Sequence, residues 1–130
     1  MKANELRIGN IVKIRGNICK VANISGFISE SITGVIIDKH GNKKHLYAEI
    51  NDIEPITLTE EWLLRARFTK SFIVTNFAIQ TEDGVLDLVP SDIAGHHVYF
   101  DDNWICKVQY VHQLQNLYFA LTGQELIINL

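Results

Sequence analysis

One stretch decides how this chain is organised: Tyr-Val-His-Gln-Leu-Gln-Asn-Leu-Tyr-Phe-Ala-Leu-Thr-Gly, residues 110–123. Its apolar residues recur at spacings of three and four, which predicts one apolar side of a helix with about 3.6 residues per turn. These residues are Val111, Leu114, Leu117, Tyr118 and Leu121. Gly123 follows where a left-handed residue commonly ends a helix. We therefore predict a helix over residues 110–122 that covers one face of a sheet.

The segment before this helix, residues 71–108, predicts the sheet. Two turn sequences, Glu82-Asp83-Gly84 and Asp101-Asp102-Asn103, each separate a pair of short apolar runs. Four antiparallel strands are the expected result. Within the last of them, the alternation of side chains predicts that Trp104, Cys106 and Val108 share one face. A final short strand is expected at residues 126–128.

A linking helix is predicted over residues 59–68. Thr59 is a favourable N-cap residue, and Glu60 and Glu61 follow in the first turn, where the helix dipole favours acidic side chains. Trp62 and Phe68 are large apolar residues that we expect to pack in the core. This helix begins the second of two predicted parts, 1–56 and 57–130.

The N-terminal part, residues 1–56, has the pattern of short strands joined by tight turns. Gly16-Asn17 is expected to supply the positive φ angles of one hairpin turn, and His40-Gly41-Asn42 those of a second. Ile53-Glu54 precedes Pro55, which favours an extended chain. Five short strands predict a small closed barrel, because closure removes exposed edges. The expected fold class is α+β: this barrel, the linking helix, and an antiparallel sheet with a packed C-terminal helix.

Two resemblances accompany these patterns. Leu-Arg-Ile-Gly-Asn-Ile-Val (6–12) and Ala-Glu-Ile-Asn-Asp-Ile-Glu-Pro-Ile (48–56) resemble SH3-like barrels of the KOW and Tudor kind, which implies a 3₁₀ turn before the last strand. Together with residues 52–63 and 110–123, the opening also resembles a family of small uncharacterised proteins of Bacteroides-type bacteria, their phages and mobile elements. That resemblance implies a cytoplasmic accessory protein and carries over no catalytic residue.

The composition is that of a folded domain, with 47% apolar residues and a net charge of −3. The apolar runs are shorter than the about 18 to 20 residues of a membrane span, and the first residues lack the apolar core of a signal peptide. We therefore expect a cytoplasmic protein without a membrane partner. Cys19 and Cys106 are then expected to be buried free thiols, although a disulfide is the alternative.

The sequence predicts no enzyme. It contains no nucleophile elbow, phosphate-binding loop, dinucleotide fingerprint or zinc-binding His-Glu-x-x-His helix, so neither a catalytic residue nor a cofactor or small-molecule substrate is predicted. His96 and His97, with Asp101, Asp102 and Cys106 nearby, have the side chains of metal ligands. Adjacent strand residues point to opposite faces, however, so we predict no metal site.

A protein interface is predicted on the C-terminal helix. His112, Gln115, Asn116 and Phe119 lie at successive helical spacings off the apolar stripe, which places an aromatic ring among polar groups. Aromatic residues are enriched in the centres of protein interfaces. The leading hypothesis is therefore a non-enzymatic protein interaction or accessory module that binds a partner or itself. The alternative is that Phe119 is buried.

Nucleic-acid binding is the second hypothesis. Residues 1–70 hold 11 basic against 8 acidic residues, whereas residues 71–130 hold 1 against 7. The basic candidates lie on the two predicted hairpins: Lys13, Arg15, Lys20, Lys39, Lys43 and Lys44. Tyr47 or Phe27 is available to stack a base, whereas the isoelectric point of 5.9 argues against this function. Convergence of these cations on one face beside an exposed aromatic residue would favour nucleic acid, and scatter would favour a protein partner.

Overall fold

The computed structural model describes residues 3–25, 31–37, 42–72 and 74–130. Its internal contacts divide the chain into two compact units, Met1–Ile56 and Thr57–Leu130. Each unit contains one five-stranded antiparallel sheet, and the second also contains the C-terminal helix. The α+β class is therefore confirmed. Among the described helices, none is long and apolar enough to cross a membrane.

The sheet of unit 1 follows the predicted hairpins. Its strands are β1 (Ile11–Ile14), β2 (Asn17–Ser25), β3 (Ser31–Ile37), β4 (Lys43–Glu49) and β5 (Ile53–Glu54), in the spatial order β4-β3-β2-β1-β5. Two 3₁₀ turns accompany them, at Ala3–Glu5 and at Ile50–Asp52. The second of these precedes β5, where the sequence predicts it. The predicted turn at His40-Gly41 lies outside the described residues.

The β1–β2 turn is shifted by one residue from the prediction. Arg15 (φ 47°) and Gly16 (φ 81°) have the positive φ angles, and Asn17 already belongs to β2, opposite Ile14. A two-residue turn of this kind matches the twist of the flanking strands because both central residues are left-handed. The Asn17 side-chain nitrogen donates a hydrogen bond of 3.4 Å to the Ile14 carbonyl, so it supports the turn from its last position.

The core of unit 1 and one long-range side-chain contact indicate that its sheet is curled. Ala48 of β4 and Ile53 of β5, on the two outermost strands, pack in one cluster with Val12, Cys19 and Ile32. Arg15 in the β1–β2 turn also donates a hydrogen bond of 3.1 Å to the Tyr47 carbonyl of β4. In a flat sheet this contact would be out of reach, because Tyr47 pairs through Thr33 with Asn23, about 20 Å along β2 from the turn. Within the described residues no ladder joins β4 to β5, so the closed barrel is not shown.

The sheet of unit 2 has five described strands, one more than the four predicted for it. Its elements are α1 (Glu60–Arg65), β6 (Thr69–Lys70), β7 (Phe77–Gln80), β8 (Val85–Pro90), β9 (His96–Phe100), β10 (Asn103–Val108) and α2 (Val111–Thr122). The spatial order of the strands is β10-β9-β8-β7-β6. β6 pairs with Phe77 and Ala78, and its two residues are too few to show a period in the sequence.

Both helices of unit 2 bury apolar residues. Leu63 of α1 and Leu114 of α2 have almost no exposed surface, like Leu88 in the centre of the sheet. Helix α2 begins one residue after the predicted start, where the Gln113 side-chain oxygen accepts a hydrogen bond of 3.1 Å from the Tyr110 amide. It ends at Gly123, whose φ of 71° is the predicted left-handed cap.

Two predictions at the ends of these elements are wrong. Thr59 precedes α1, but its side chain makes no capping hydrogen bond, and α1 is shorter than the predicted 59–68. Residues 126–128 form no strand. Instead Leu126 is buried and the Asn129 amide donates a hydrogen bond of 2.9 Å to the Arg65 carbonyl, so the tail is held at the end of α1.

Candidate functional site

The register of unit 1 places basic residues on the side of the sheet that faces away from its core. Lys20 of β2 lies opposite Val35 of β3, and Val35 lies opposite His45 of β4. Because residues two apart share a face, Lys43 and Tyr47 lie on the same side as His45. We call this side the outer face. It is opposite to the side of Ile32 and Gly34, which is buried.

A groove of about 470 Å³ lies on the outer face. Its charged or titratable lining residues are Lys20, Lys43 and His45. The remaining lining residues are small or apolar: Ile8, Gly9, Val21, Ala22 and Val35. No carboxylate is among the described residues that line it. The groove therefore offers ammonium groups and an imidazole above an apolar floor, an arrangement that attracts anions.

The other basic candidates are divided between the two faces. Lys13 of β1 also lies on the outer face, two residues along the strand from the position opposite Lys20. Its neighbour on β5 is Glu54, whose carboxylate offsets its charge. Lys44 lies opposite Ile36, which packs against the core, so Lys44 is on the opposite face of β4. Lys39 lies outside the described residues. The structure thus brings Lys20 and Lys43 together and separates Lys44 from them.

Tyr47 is the exposed aromatic residue of the outer face. It retains 73% of its accessible surface on the edge strand β4. The Arg15 guanidinium donates a hydrogen bond of 3.1 Å to the Tyr47 carbonyl, across from the β1–β2 turn. Arg15 therefore brings a further positive charge to the Tyr47 end of β4. The sequence indicated Tyr47 as an aromatic residue available to stack a base but gave no information on this contact.

The predicted interface on α2 is partly buried. His112 and Gln115 have only 2% and 3% of their surface exposed, Asn116 is half-buried, and Phe119 is 39% exposed. His112 stacks on Tyr110 with ring centroids 5.9 Å apart. The prediction of a shared exposed face is therefore wrong for His112 and Gln115. Near its start, α2 buries more of its circumference than the apolar residues alone would cover.

Trp104 of β10 does not lie on the face of the sheet that the sequence predicts for it. Trp104 lies opposite Tyr99, whereas Cys106 lies opposite Val98, and the register shifts between Trp104 and Cys106. This bulge puts Trp104 and Cys106 on opposite faces, against the predicted alternation. Trp104 is 58% exposed, and its indole nitrogen donates a hydrogen bond of 3.4 Å to His97 Nδ1.

The titratable groups with perturbed pKa values are separate from the groove. Burial raises the pKa of the Cys19 and Cys106 thiols, so both stay protonated near neutral pH and are weak nucleophiles. Both are free thiols, with Cys19 buried as predicted and Cys106 only half-buried. Burial lowers the pKa of His96. Burial, followed by the charge of Asp102, raises the pKa of Asp87.

Within the described part of the chain, no group of three or more His, Cys, Asp or Glu side chains is placed to hold a metal ion. His96 and His97 lie on adjacent positions of β9 and therefore on opposite faces.

The chain matches no family model, no curated protein and no solved structure. The resemblance to the Bacteroides-type family therefore stays a prediction, and the function has to be argued from the residues of the chain itself.

Proposed function

We propose that the chain is a non-enzymatic binding module whose unit 1 binds nucleic acid through the outer face of its sheet. The observation that carries this proposal is the groove where Lys20, Lys43 and His45 meet with no carboxylate among its described lining. Exposed Tyr47 lies on the same face. The hairpin cations converge only in part, because Lys44 lies on the opposite face of β4. We place nucleic acid ahead of a protein partner because Lys20 and Lys43 meet on the face that carries an exposed aromatic residue.

Electrostatics supports the choice of ligand. A polyanion that crosses the groove would meet the ammonium groups of Lys20 and Lys43 from two strands that flank β3. Neighbouring strands are about 4.8 Å apart, and Lys43 lies two residues along β4 from the row of Lys20, so the two cations emerge from backbone positions about 12 Å from each other. Phosphates that bind lysine release condensed counterions, which supplies affinity independent of base sequence.

The curled sheet supports a finer fold assignment for unit 1. The strand order β5-β1-β2-β3-β4, the 3₁₀ turn Ile50–Asp52 before the last strand, and the shared core are all features expected of an SH3-like barrel. The Arg15 side chain joins the β1–β2 turn to the Tyr47 carbonyl and so spans part of the open side. We therefore assign unit 1 to the SH3-like barrels as part of this proposal.

Fluorescence anisotropy with labelled DNA and RNA at low salt tests the nucleic-acid proposal. Lys20→Ala and Lys43→Ala are each expected to weaken binding, because each removes a groove cation. Each should also reduce the slope of log K against log salt concentration by about 0.7 for a single strand, the value for one lost phosphate contact. Lys44→Ala is the matched control, since it removes the same charge from the opposite face of β4.

Two results would overturn the proposal. One is the absence of binding by the unmodified chain at low salt. The other is an equal loss of affinity in Lys44→Ala and Lys43→Ala, because general charge rather than the groove would then govern binding.

A protein contact through unit 2 is the second candidate function. Trp104 and Ile105 on the edge strand β10 are both exposed, and large aromatic residues are frequent energetic centres of interfaces. Phe119 remains the exposed member of the interface predicted on α2.

Size-exclusion chromatography with light scattering tests this second candidate. If unit 2 mediates self-association, Trp104→Glu or Phe119→Glu should convert a dimer to a monomer without unfolding it, because a charge is inserted into an apolar contact. A monomer at all concentrations before mutation would rule out self-association through either residue.

A further inference from the structure

Resting on the proposed function, we infer that the nucleic acid is single-stranded and that Tyr47 stacks on one of its unpaired bases. The phosphates occupy the groove of Lys20 and Lys43, and the chain continues along β4 toward Tyr47.

The spacing along β4 fits this arrangement. Lys43, His45 and Tyr47 alternate on the outer face, so their backbone positions are separated by about 7 Å per step. A strand held by its phosphates at Lys43 therefore has a base within reach of Tyr47 about 13 Å further along. His45 lies between them and lines the groove.

Tyr47 is both exposed and held in place. Its accessible surface of 73% leaves the ring free to receive a flat partner, while the Arg15 guanidinium binds its backbone carbonyl at 3.1 Å. The same contact keeps the Arg15 charge beside the Tyr47 backbone. A base that stacks on Tyr47 would therefore carry its phosphate into the field of a third cation.

The exposed ring of Tyr47, on the same face as the cationic groove, favours a single strand over a duplex. Sequence-independent binding of single strands combines a cationic groove with aromatic rings on which bases stack, and a ring can stack only on a base whose face is uncovered. Paired bases inside a duplex are covered by their neighbours.

The test compares three probes: a single-stranded 12-mer, a duplex hairpin of the same composition, and inorganic polyphosphate. Tyr47→Ala should weaken single-strand binding by about 5-fold to 140-fold, which corresponds to the known range for one stacked base. It should leave the affinity for polyphosphate unchanged, because polyphosphate has no bases. Tyr47→Phe keeps the ring and should retain single-strand binding. Lys20→Ala should weaken the binding of all three probes.

Each result has a separate meaning. Duplex binding as tight as single-strand binding, with no effect of Tyr47→Ala but a loss in Lys20→Ala, would overturn this inference and leave the proposed function standing. Failure to bind any of the three probes would overturn both. An equal loss of polyphosphate and single-strand binding in Tyr47→Ala would show that Tyr47 supports the groove and does not stack.

Discussion

Replacing Leu63 by alanine is expected to lower the free energy of unfolding of unit 2 by about 2 to 5 kcal/mol. Leu63 is fully buried in α1, and its carbonyl accepts a hydrogen bond of 3.0 Å from the Phe68 amide at the end of the helix. Removal of the side chain leaves a cavity in a part of the core that the helix backbone holds in place. Denaturant unfolding followed by circular dichroism measures the change.

The neighbouring residue supplies a matched control. Leu64 is 52% exposed, so Leu64→Ala removes the same atoms from the same helix with little loss of burial. We expect a change of at most about 0.5 kcal/mol, as for other surface substitutions. Equal losses in the two variants would contradict the orientation of α1 described above.

Gly34→Ala is expected to lower the free energy of unfolding by about 1 to 3 kcal/mol, the usual cost of an overpacked core. A Cβ atom at Gly34 would lie 2.6 Å from Ile14 Cδ1 and 2.9 Å from Cys19 Cβ. The first neighbour is the end of a flexible side chain, but the second is fixed to the backbone of β2. The clash outweighs the gain of about 0.4 to 1 kcal/mol that a Gly-to-Ala change gives where there is space.

The double variant Ile14→Val/Gly34→Ala tests the cause of that loss. Valine lacks the Cδ1 atom, so the combined loss should be smaller than the sum of the two single losses, by an amount typical of residues in contact, about 0.5 kcal/mol or more. Thermal or denaturant unfolding of the unmodified protein, the two single variants and the double variant gives the coupling free energy between the two sites. Strict additivity would show that Ile14 and Gly34 do not compete for the same space.

Local chemistry predicts the hairpins and α2 well. The turns at residues 15–16 and 101–102 lie within one residue of the predicted positions, because Gly16, Asp101 and Asp102 belong to the few residue types that support positive φ angles. Arg15 does not, which is why the first turn was predicted one residue too late. The stop of α2 at Gly123 is predicted for the same reason. These features depend on neighbours in the sequence and not on the rest of the fold.

Features that depend on packing were predicted less well. His112 and Gln115 look like surface residues by their chemistry, but their position beside the apolar stripe places them in the core. The groove joins Lys20 to Lys43 through pairings across three strands, which no linear spacing contains. Lys43 and Lys44 are adjacent in the sequence, yet the pleat sends them to opposite faces.

The β-bulge at Ile105, next to Trp104, has a consequence for solubility. Strand β10 is an outermost strand, and such strands offer a template on which further copies of a chain can add and grow into fibres. The β-bulge at Ile105 interrupts the regular spacing of backbone N–H and C=O groups along β10. An added strand could therefore not form all the hydrogen bonds of a regular ladder with it. We therefore expect β10 to resist edge-to-edge addition of further copies, although Trp104 and Ile105 are exposed on it.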